Sequence, residues 1–258
     1  MIYRYDGTFP GFLCAVYEAY QDGTSHTEGI CTAMAPGGLF SSEKEVRTVS
    51  DRAERVAQAF LADCGRQAFR QLFRAFLAEE PGREDVLFRY IRNGFRLKKA
   101  LYAHHMEAWA WTVWQWAGKT GAEAEKLLGL VRFSELSEGL LFAEIAPTHD
   151  VLPLMAGHFQ RRLAGESWAI YDARRHRAVY WDRKELLLAE VPERLQTLSY
   201  SVEETATRRL WQTYYDHIAV QERTNPVLRR SYMPKKYWRY LTEMNRDLGR
   251  PDLLVYRL

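Results

Sequence analysis

A change in the spacing of apolar residues near Gly129 does most to limit the folds open to this chain of 258 residues. Across residues 50–117 the sequence has helical character, with Ser50 as an N-cap, and this stretch predicts three or four helices. Residues 130–136 and 140–145 instead favour strands and are separated by Ser137-Glu138-Gly139, a typical hairpin sequence. The chain therefore combines a helical block with a sheet.

The segments on either side of that change complete the expected order of elements. Helices are predicted at residues 9–20, 151–163 and 203–223, with a last short helix after Pro234. Further strands are predicted at residues 2–5, 30–33, 168–171 and 178–181. The order predicts an α+β fold whose mostly antiparallel sheet has a β-β-α-β-β core plus the N-terminal strand, with an inserted helical block and C-terminal helices. We expect one domain over residues 1–258, with a helical subdomain at about 50–128 and an α+β core from 1–35 and 129–244.

Composition limits the compartment and the chemistry. The three cysteines are odd in number and form no C-x-x-C pair, which argues against a disulfide framework or a zinc ribbon. The sequence shows neither a signal peptide nor a long uncharged apolar run, so we expect a soluble, cytoplasmic protein without a membrane partner. The common phosphate-loop, dinucleotide, esterase and zinc-protease motifs are missing. No metal and no cofactor is predicted.

Positive charge is concentrated in two segments. The net charge of +3 resolves into −4 for residues 1–65, +5 for 66–100, −4 for 101–204 and +6 for 205–258. Arginines repeat at three- and four-residue intervals in the first segment, and aromatic residues interleave with the basic ones in the second, as a nucleic-acid surface requires. Solvated helix faces, or pairing with acidic regions of the same molecule, explain the pattern equally simply. The residues expected to contact a nucleic acid are Arg66, Arg70, Arg74, Arg89, Arg92, Arg96, Arg229, Arg230, Lys235, Lys236 and Trp238.

Four residues are candidates for catalysis. Glu222 continues an apolar helical stripe and must be paired or have a shifted pKa, either as an acid or base or in an ion pair with Arg132 or Arg223. Asp172 ends a strand, where it either caps a turn or acts chemically. His149 lies before a helix, in a capping or loop role or a catalytic one. With Arg223, these residues could serve an enzyme acting on a nucleic acid or nucleotide.

Several segments together resemble a bacterial family assigned to DNA metabolism or repair, whose main domain is one of unknown function. The segments are Tyr5-Asp6-Gly7-Thr8-Phe9, Leu130-Val131-Arg132-Phe133, Pro147-Thr148-His149-Asp150-Val151-Leu152-Pro153-Leu154, Trp168-Ala169-Ile170-Tyr171-Asp172, Gln221-Glu222-Arg223-Thr224-Asn225-Pro226 and Met233-Pro234-Lys235-Lys236-Tyr237-Trp238. Members occur alone, encoded beside a DNA-repair radical SAM protein, or fused C-terminally to uracil-DNA glycosylase-like domains. Glu125 and Leu127 depart from the His-x-Met-like pattern expected before the Val-Arg-Phe strand.

The resemblance and the charge pattern together favour a DNA-binding accessory factor. It would bind single-stranded or damaged DNA and assist a radical SAM or glycosylase-like partner. The enzyme described above is one alternative. The other is a protein-binding module that docks the radical SAM partner through its helical block, with a contact at Trp109, Trp111, Trp114 and Trp116.

Overall fold

The computed structural model describes residues 1–33, 42–191, 199–218 and 225–245. Contacts between residues divide the chain into two compact units, Met1–Gly121 and Ala122–Leu258, called unit 1 and unit 2 below. The fold is α+β, as expected from the sequence, with one sheet in each unit. The predicted domain boundaries stay a prediction.

Unit 1 contains a small parallel sheet. Its strands are β1 (Ile2–Tyr5), β2 (Gly29–Thr32) and β3 (Glu43–Glu45), and β1 lies in the centre and pairs in parallel with both neighbours. Parallel strands cannot be joined by a tight hairpin, and helix α1 (Phe9–Gln21) lies between β1 and β2 in the chain. The expectation that the N-terminal strand belongs to a mostly antiparallel sheet is therefore wrong.

The helical block follows this sheet. Helix α2 (Ser50–Phe76) has non-helical torsions at Gly65, α3 (Arg83–Leu97) leads into a 3-10 turn, and α4 (Ala108–Leu130) begins in unit 1 and ends in unit 2. Apolar residues on the facing sides of α2 and α3 are buried, among them Phe60 and Ile91. These are the helices that the spacing of apolar residues predicts.

Gly94 makes α3 fit closely against α2. A Cβ at Gly94 would lie 2.5 Å from Phe60 Cε2 and 3.1 Å from Cys64 Sγ. We expect Gly94→Ala to lower the free energy of unfolding by about 1–3 kcal/mol, because overpacking outweighs the better helix propensity of alanine. Chemical denaturation measures this change. Gly118→Ala is the matched control, since no atom lies within 4 Å of its Cβ position, and it should leave the protein at least as stable.

Unit 2 is built on a five-stranded mixed sheet of order β4-β5-β6-β7-β8. The two predicted hairpins are present as the antiparallel pairs β4–β5 and β6–β7. The sheet departs from the expected arrangement in two ways: β5 and β6 run parallel, and β8 extends the sheet beyond the predicted strands. The strands are β4 (Ser134–Glu135), β5 (Leu141–Ile145), β6 (Trp168–Asp172), β7 (Arg177–Trp181) and β8 (Leu186–Glu190).

Helices cover this sheet. Helix α5 (Leu152–Arg162) connects the parallel strands β5 and β6, as the β-β-α-β-β order requires, and its Phe159 packs in the core with Trp168. The C-terminal part contains α6 (Val202–Ile218), α7 (Pro226–Tyr232) and a short 3-10 helix, Lys235–Tyr240. None of the helices in the described ranges has the length and apolarity needed to cross a bilayer.

Candidate functional site

Three arginines of α2 line a groove against α4 in unit 1. Arg66, Arg70 and Arg74 follow the break at Gly65 and, spaced four residues apart, lie along one helix face. Across from them α4 contributes Trp114 and the small residues Ala117 and Gly118. The groove has a volume of about 470 Å³, which is within the range of ligand sites. Three of the predicted nucleic-acid contacts thus share one groove.

The charges of this groove are not neutralised within the described part of the chain. None of the three guanidiniums there forms a hydrogen bond or an ion pair, and Arg74 Nε is buried without a partner. Stacking like charges on one helix face costs a few tenths of a kcal/mol per pair. An anion bound in the groove would offset that cost and would satisfy the buried Nε.

Aromatic rings stand beside the arginines. Trp114 contacts Tyr102 and His105, with ring centroids 5.6 Å apart in both pairs. Tyr102 is 58% exposed, so the cluster offers an open ring at the protein surface. Proteins that bind single-stranded nucleic acids combine exposed aromatic rings, which stack on bases, with cations that neutralise phosphates. Tyr102 lines an adjoining pocket together with Arg66 and Trp114. We call the groove and this aromatic neighbour, Arg66, Arg70, Arg74, Tyr102 and Trp114, the α2 groove.

The arginines of α3 lie elsewhere in unit 1. Arg89, Arg92 and Arg96 are exposed and occupy the face opposite the buried side of α3. Arg92 stacks over Phe88, with its guanidinium carbon 5.7 Å from the ring centroid, and Arg96 donates to Asn93 Oδ1 at 3.0 Å. This set forms a solvated helix face that does not line the α2 groove.

The second basic segment forms a different arrangement in unit 2. Arg229 of α7 and Lys235 both approach the ring of Trp238, at 5.3 and 5.9 Å from the centroid. Arg230 is exposed on the same helix. Lys236 is half-exposed, and its Nζ donates to Glu123 Oε1 and Thr148 Oγ1, each at 2.6 Å. Lys236 is thus held in an internal ion pair, whereas Arg229, Lys235 and Trp238 form a small cationic surface.

Glu123 organises the loop that contains His149. It accepts hydrogen bonds from Lys236 Nζ, from the hydroxyl of Tyr237, and from the backbone N–H groups of Thr148 and His149 at 2.9 and 2.8 Å. Burial by itself would raise the pKa of Glu123, but these donors outweigh burial and lower the pKa to about 2. His149 is buried and its backbone is held by this carboxylate, which fits the predicted loop role.

Asp172 is linked to the same loop through Arg175. Its Oδ1 accepts from the backbone N–H of Arg174 at 2.9 Å, and its Oδ2 accepts from Arg175 Nη1 at 2.9 Å. Arg175 Nη2 also donates to the carbonyl of Thr148 at 2.8 Å. Because β5 and β6 are parallel, the His149 loop and Asp172 follow adjacent strand ends, a common position for ligand sites. The bonding of Asp172 is that of a turn cap.

The remaining predicted catalytic residues, Glu222 and Arg223, lie outside the described residues. Arg132, considered as a partner of Glu222, binds Glu243 through two hydrogen bonds of 3.2 and 2.7 Å. Among the residues that the structure describes, no cluster of three His, Cys, Asp or Glu side chains could hold a metal ion.

Sequence reasoning missed Glu123 and Glu243, which are two of the buried carboxylates of unit 2, together with Asp150, Asp172 and Glu204. Glu123 belongs to the run Gly121-Ala122-Glu123-Ala124-Glu125, in which two glutamates look alike. The spacing of apolar neighbours was the one available signal, since Glu123 is four residues before the buried Leu127.

Comparison with known proteins identifies a family without assigning a reaction. A family model described as a domain of unknown function, DUF4130, matches residues 81–243. No curated protein and no solved structure matches the chain. The matched range includes α3, α4 and the described part of unit 2 up to Glu243, and it contains Tyr102 and Trp114 of the α2 groove.

Proposed function

We propose that this chain, which belongs to the DUF4130 family of domains of unknown function, binds single-stranded or damaged DNA as an accessory factor in DNA repair or metabolism. The observation that carries the proposal is the α2 groove. Three arginines that have no partner among the described residues line it, and an exposed aromatic cluster stands beside them. The resemblance to DNA-repair proteins described above supports the same class of ligand and suggests a radical SAM or glycosylase-like protein as the partner.

The groove suits single strands better than duplexes. Arginines four residues apart on a helix are spaced by about 6 Å along its axis, so each can meet a different phosphate of an extended strand. The aromatic cluster can stack an unpaired base, and a duplex offers no free base face. A duplex that contains a lesion or a frayed end exposes such a base locally.

Removing the positive charges of the three groove arginines should weaken DNA binding, and it should also make the remaining affinity less dependent on salt. For wild-type protein and a labelled single strand of about 16 nucleotides, we expect affinity to fall steeply between about 50 and 200 mM salt. In the triple variant R66Q/R70Q/R74Q the affinity should fall by at least about tenfold, and the slope of log K against log salt should decrease by about 2, which corresponds to three lost phosphate contacts. Fluorescence anisotropy over a salt series measures both.

The matched control removes three positive charges from other surfaces. The variant R47Q/R161Q/R162Q has the same net charge as the groove variant and alters only exposed arginines. It should keep nearly wild-type affinity. Tyr102→Leu should lower the affinity for single-stranded DNA by about fivefold or more and leave the affinity for intact duplex unchanged, because it removes only base stacking. Equal losses in the two triple variants, or binding insensitive to salt, would overturn the proposal.

A further inference from the structure

A second cleft, in unit 2, is lined by arginines and aromatic rings. It has a wide part and a narrow part, and Arg132, Arg208 and Thr242 line both. The narrow part is more polar and includes side chains from β5 and from the 3-10 helix. Its other lining residues are Ser134, Phe142, Glu144, Tyr200, Arg239, Tyr240 and Asn245.

The wide part has the size and surface of a site for a flat ring. Its volume is about 450 Å³, within the range of small-molecule sites. Phe133 and Trp211 supply aromatic surface, and the small residues Gly129 and Thr207 also line this part. Trp211 is held in position, since its indole N–H donates to Glu243 Oε2 at 3.1 Å. A planar base can therefore stack here on a fixed ring.

Some of the guanidinium N–H groups in the cleft already have hydrogen-bond partners. Arg132 is occupied by Glu243 and by the carbonyls of Gly129 and Val131. Arg208 donates to Ser134 Oγ at 2.8 Å through Nη1, which also lies 4.0 Å from Glu204 Oε1, and its guanidinium lies over the Tyr200 ring. The guanidinium of Arg239, 5.0 Å above the Tyr240 ring centroid, forms no hydrogen bond or ion pair with the described residues. Arg208 and Arg239 can thus both donate to one ligand.

We propose that this cleft binds a single nucleotide, with its base in the wide part against Trp211 and its phosphate in the narrow part on Arg208 and Arg239. Arg208 and Arg239 supply two cations in the narrow part, and Trp211 supplies an aromatic ring in the adjoining wide part. This arrangement matches a phosphate joined to a base. Glu144 is the carboxylate that lines the narrow part, and its oxygens suit a sugar hydroxyl. The nucleotide is either free or the 5′ end of a DNA strand. The site lies wholly in unit 2 and is independent of the α2 groove.

Mononucleotide binding tests the site directly. By calorimetry or ligand-observed NMR, full-length protein should bind dAMP more tightly than deoxyadenosine or inorganic phosphate alone. Arg239→Gln should weaken dAMP binding by about tenfold, the usual effect of losing a charge-assisted hydrogen bond. Trp211→Leu should reduce the advantage of dAMP over inorganic phosphate, because it removes the stacking surface. Arg162→Gln, which alters an exposed arginine of α5, is the matched control and should bind as wild type.

A DNA arm separates the two sources of the nucleotide. In the R66Q/R70Q/R74Q background, short oligonucleotides with and without a 5′ phosphate are compared. A preference for the phosphorylated strand that Arg239→Gln abolishes identifies a DNA end, whereas binding of dAMP alone identifies a free nucleotide. The proposal is overturned if dAMP binds no better than phosphate, or if Arg239→Gln and Trp211→Leu leave binding unchanged. Each result is independent of whether the α2 groove binds DNA.

Discussion

Replacing Glu123 by alanine is expected to lower the free energy of unfolding by about 3–5 kcal/mol, because several donors around this buried carboxylate then lose their acceptor. The Glu123 side chain is 8% exposed and accepts from Lys236, Tyr237 and two backbone N–H groups. Without it, the two N–H groups of the Thr148–His149 backbone and the Tyr237 hydroxyl lose their acceptor. Each buried donor left unpaired costs about 1–3 kcal/mol, so these donors account for most of the expected loss.

Urea denaturation monitored by tryptophan fluorescence measures this loss. Glu125→Ala is the matched control, because Glu125 is exposed two residues further along α4, and it should change stability by no more than about 0.5 kcal/mol. Introducing Lys236→Ala into the wild type and into Glu123→Ala gives the coupling energy between Lys236 and Glu123 by a double-mutant cycle. A loss for Glu123→Ala no larger than that for Glu125→Ala would contradict the hydrogen-bond network.

The same carboxylate predicts how stability changes with pH. The pKa of Glu123 falls from 4.5 to about 2 on folding, so its contribution is fully present above pH 4.5 and is lost as the pH falls toward 2. After allowing for screening at the half-exposed Lys236, we expect this part of the stability to be about 2 kcal/mol. Unfolding curves from pH 6 down to about 2 measure it. In Glu123→Gln the acid loss should shrink by that amount.

Regular patterns along the chain made much of unit 2 predictable. The β-β-α-β-β order follows from period-2 and period-3.6 stretches and from Ser137-Glu138-Gly139, all of which are local signals. The parallel pairing of β1 with β2 and β3 was not predictable in this way, because parallel register depends on contacts between distant segments. Strand β8 was missed since Leu186-Leu187-Leu188 lacks the alternation of a half-buried strand, and the structure shows it exposed throughout.

The candidate sites likewise contain features that local sequence patterns predict and features that depend on contacts between distant segments. The repeat of Arg66, Arg70 and Arg74 is visible in the sequence, so one helix face was expected to be basic. That Trp114 faces those arginines depends on how α2 packs on α4, which no local pattern shows. The internal pairing of Lys236 with Glu123 was hidden for the same reason, since 113 residues separate the partners.

Asp172 is expected to respond differently to two substitutions that remove the same charge. Its carboxylate is fully buried, and burial raises its pKa above 3.8 even though Arg175 and the backbone donors act to lower it. Asp172→Ala should cost about 3–5 kcal/mol, because it leaves Arg175 Nη1 and two backbone N–H groups without an acceptor. Asp172→Asn should cost only about 1–2 kcal/mol, because its amide oxygen still accepts from the Arg174 and Arg175 N–H groups.

The contribution of Asp172 to folding stability changes with pH in the opposite direction to that of Glu123. A raised pKa in the folded protein means that the stabilisation of Asp172 is fully present below pH 3.8 and is lost as the pH rises through the folded pKa. The advantage of wild type over Asp172→Asn should therefore shrink as the pH rises from about 3.8, which unfolding curves at several pH values measure. Equal losses for the alanine and asparagine variants would show that the charge, rather than the turn cap, is what the fold requires at Asp172.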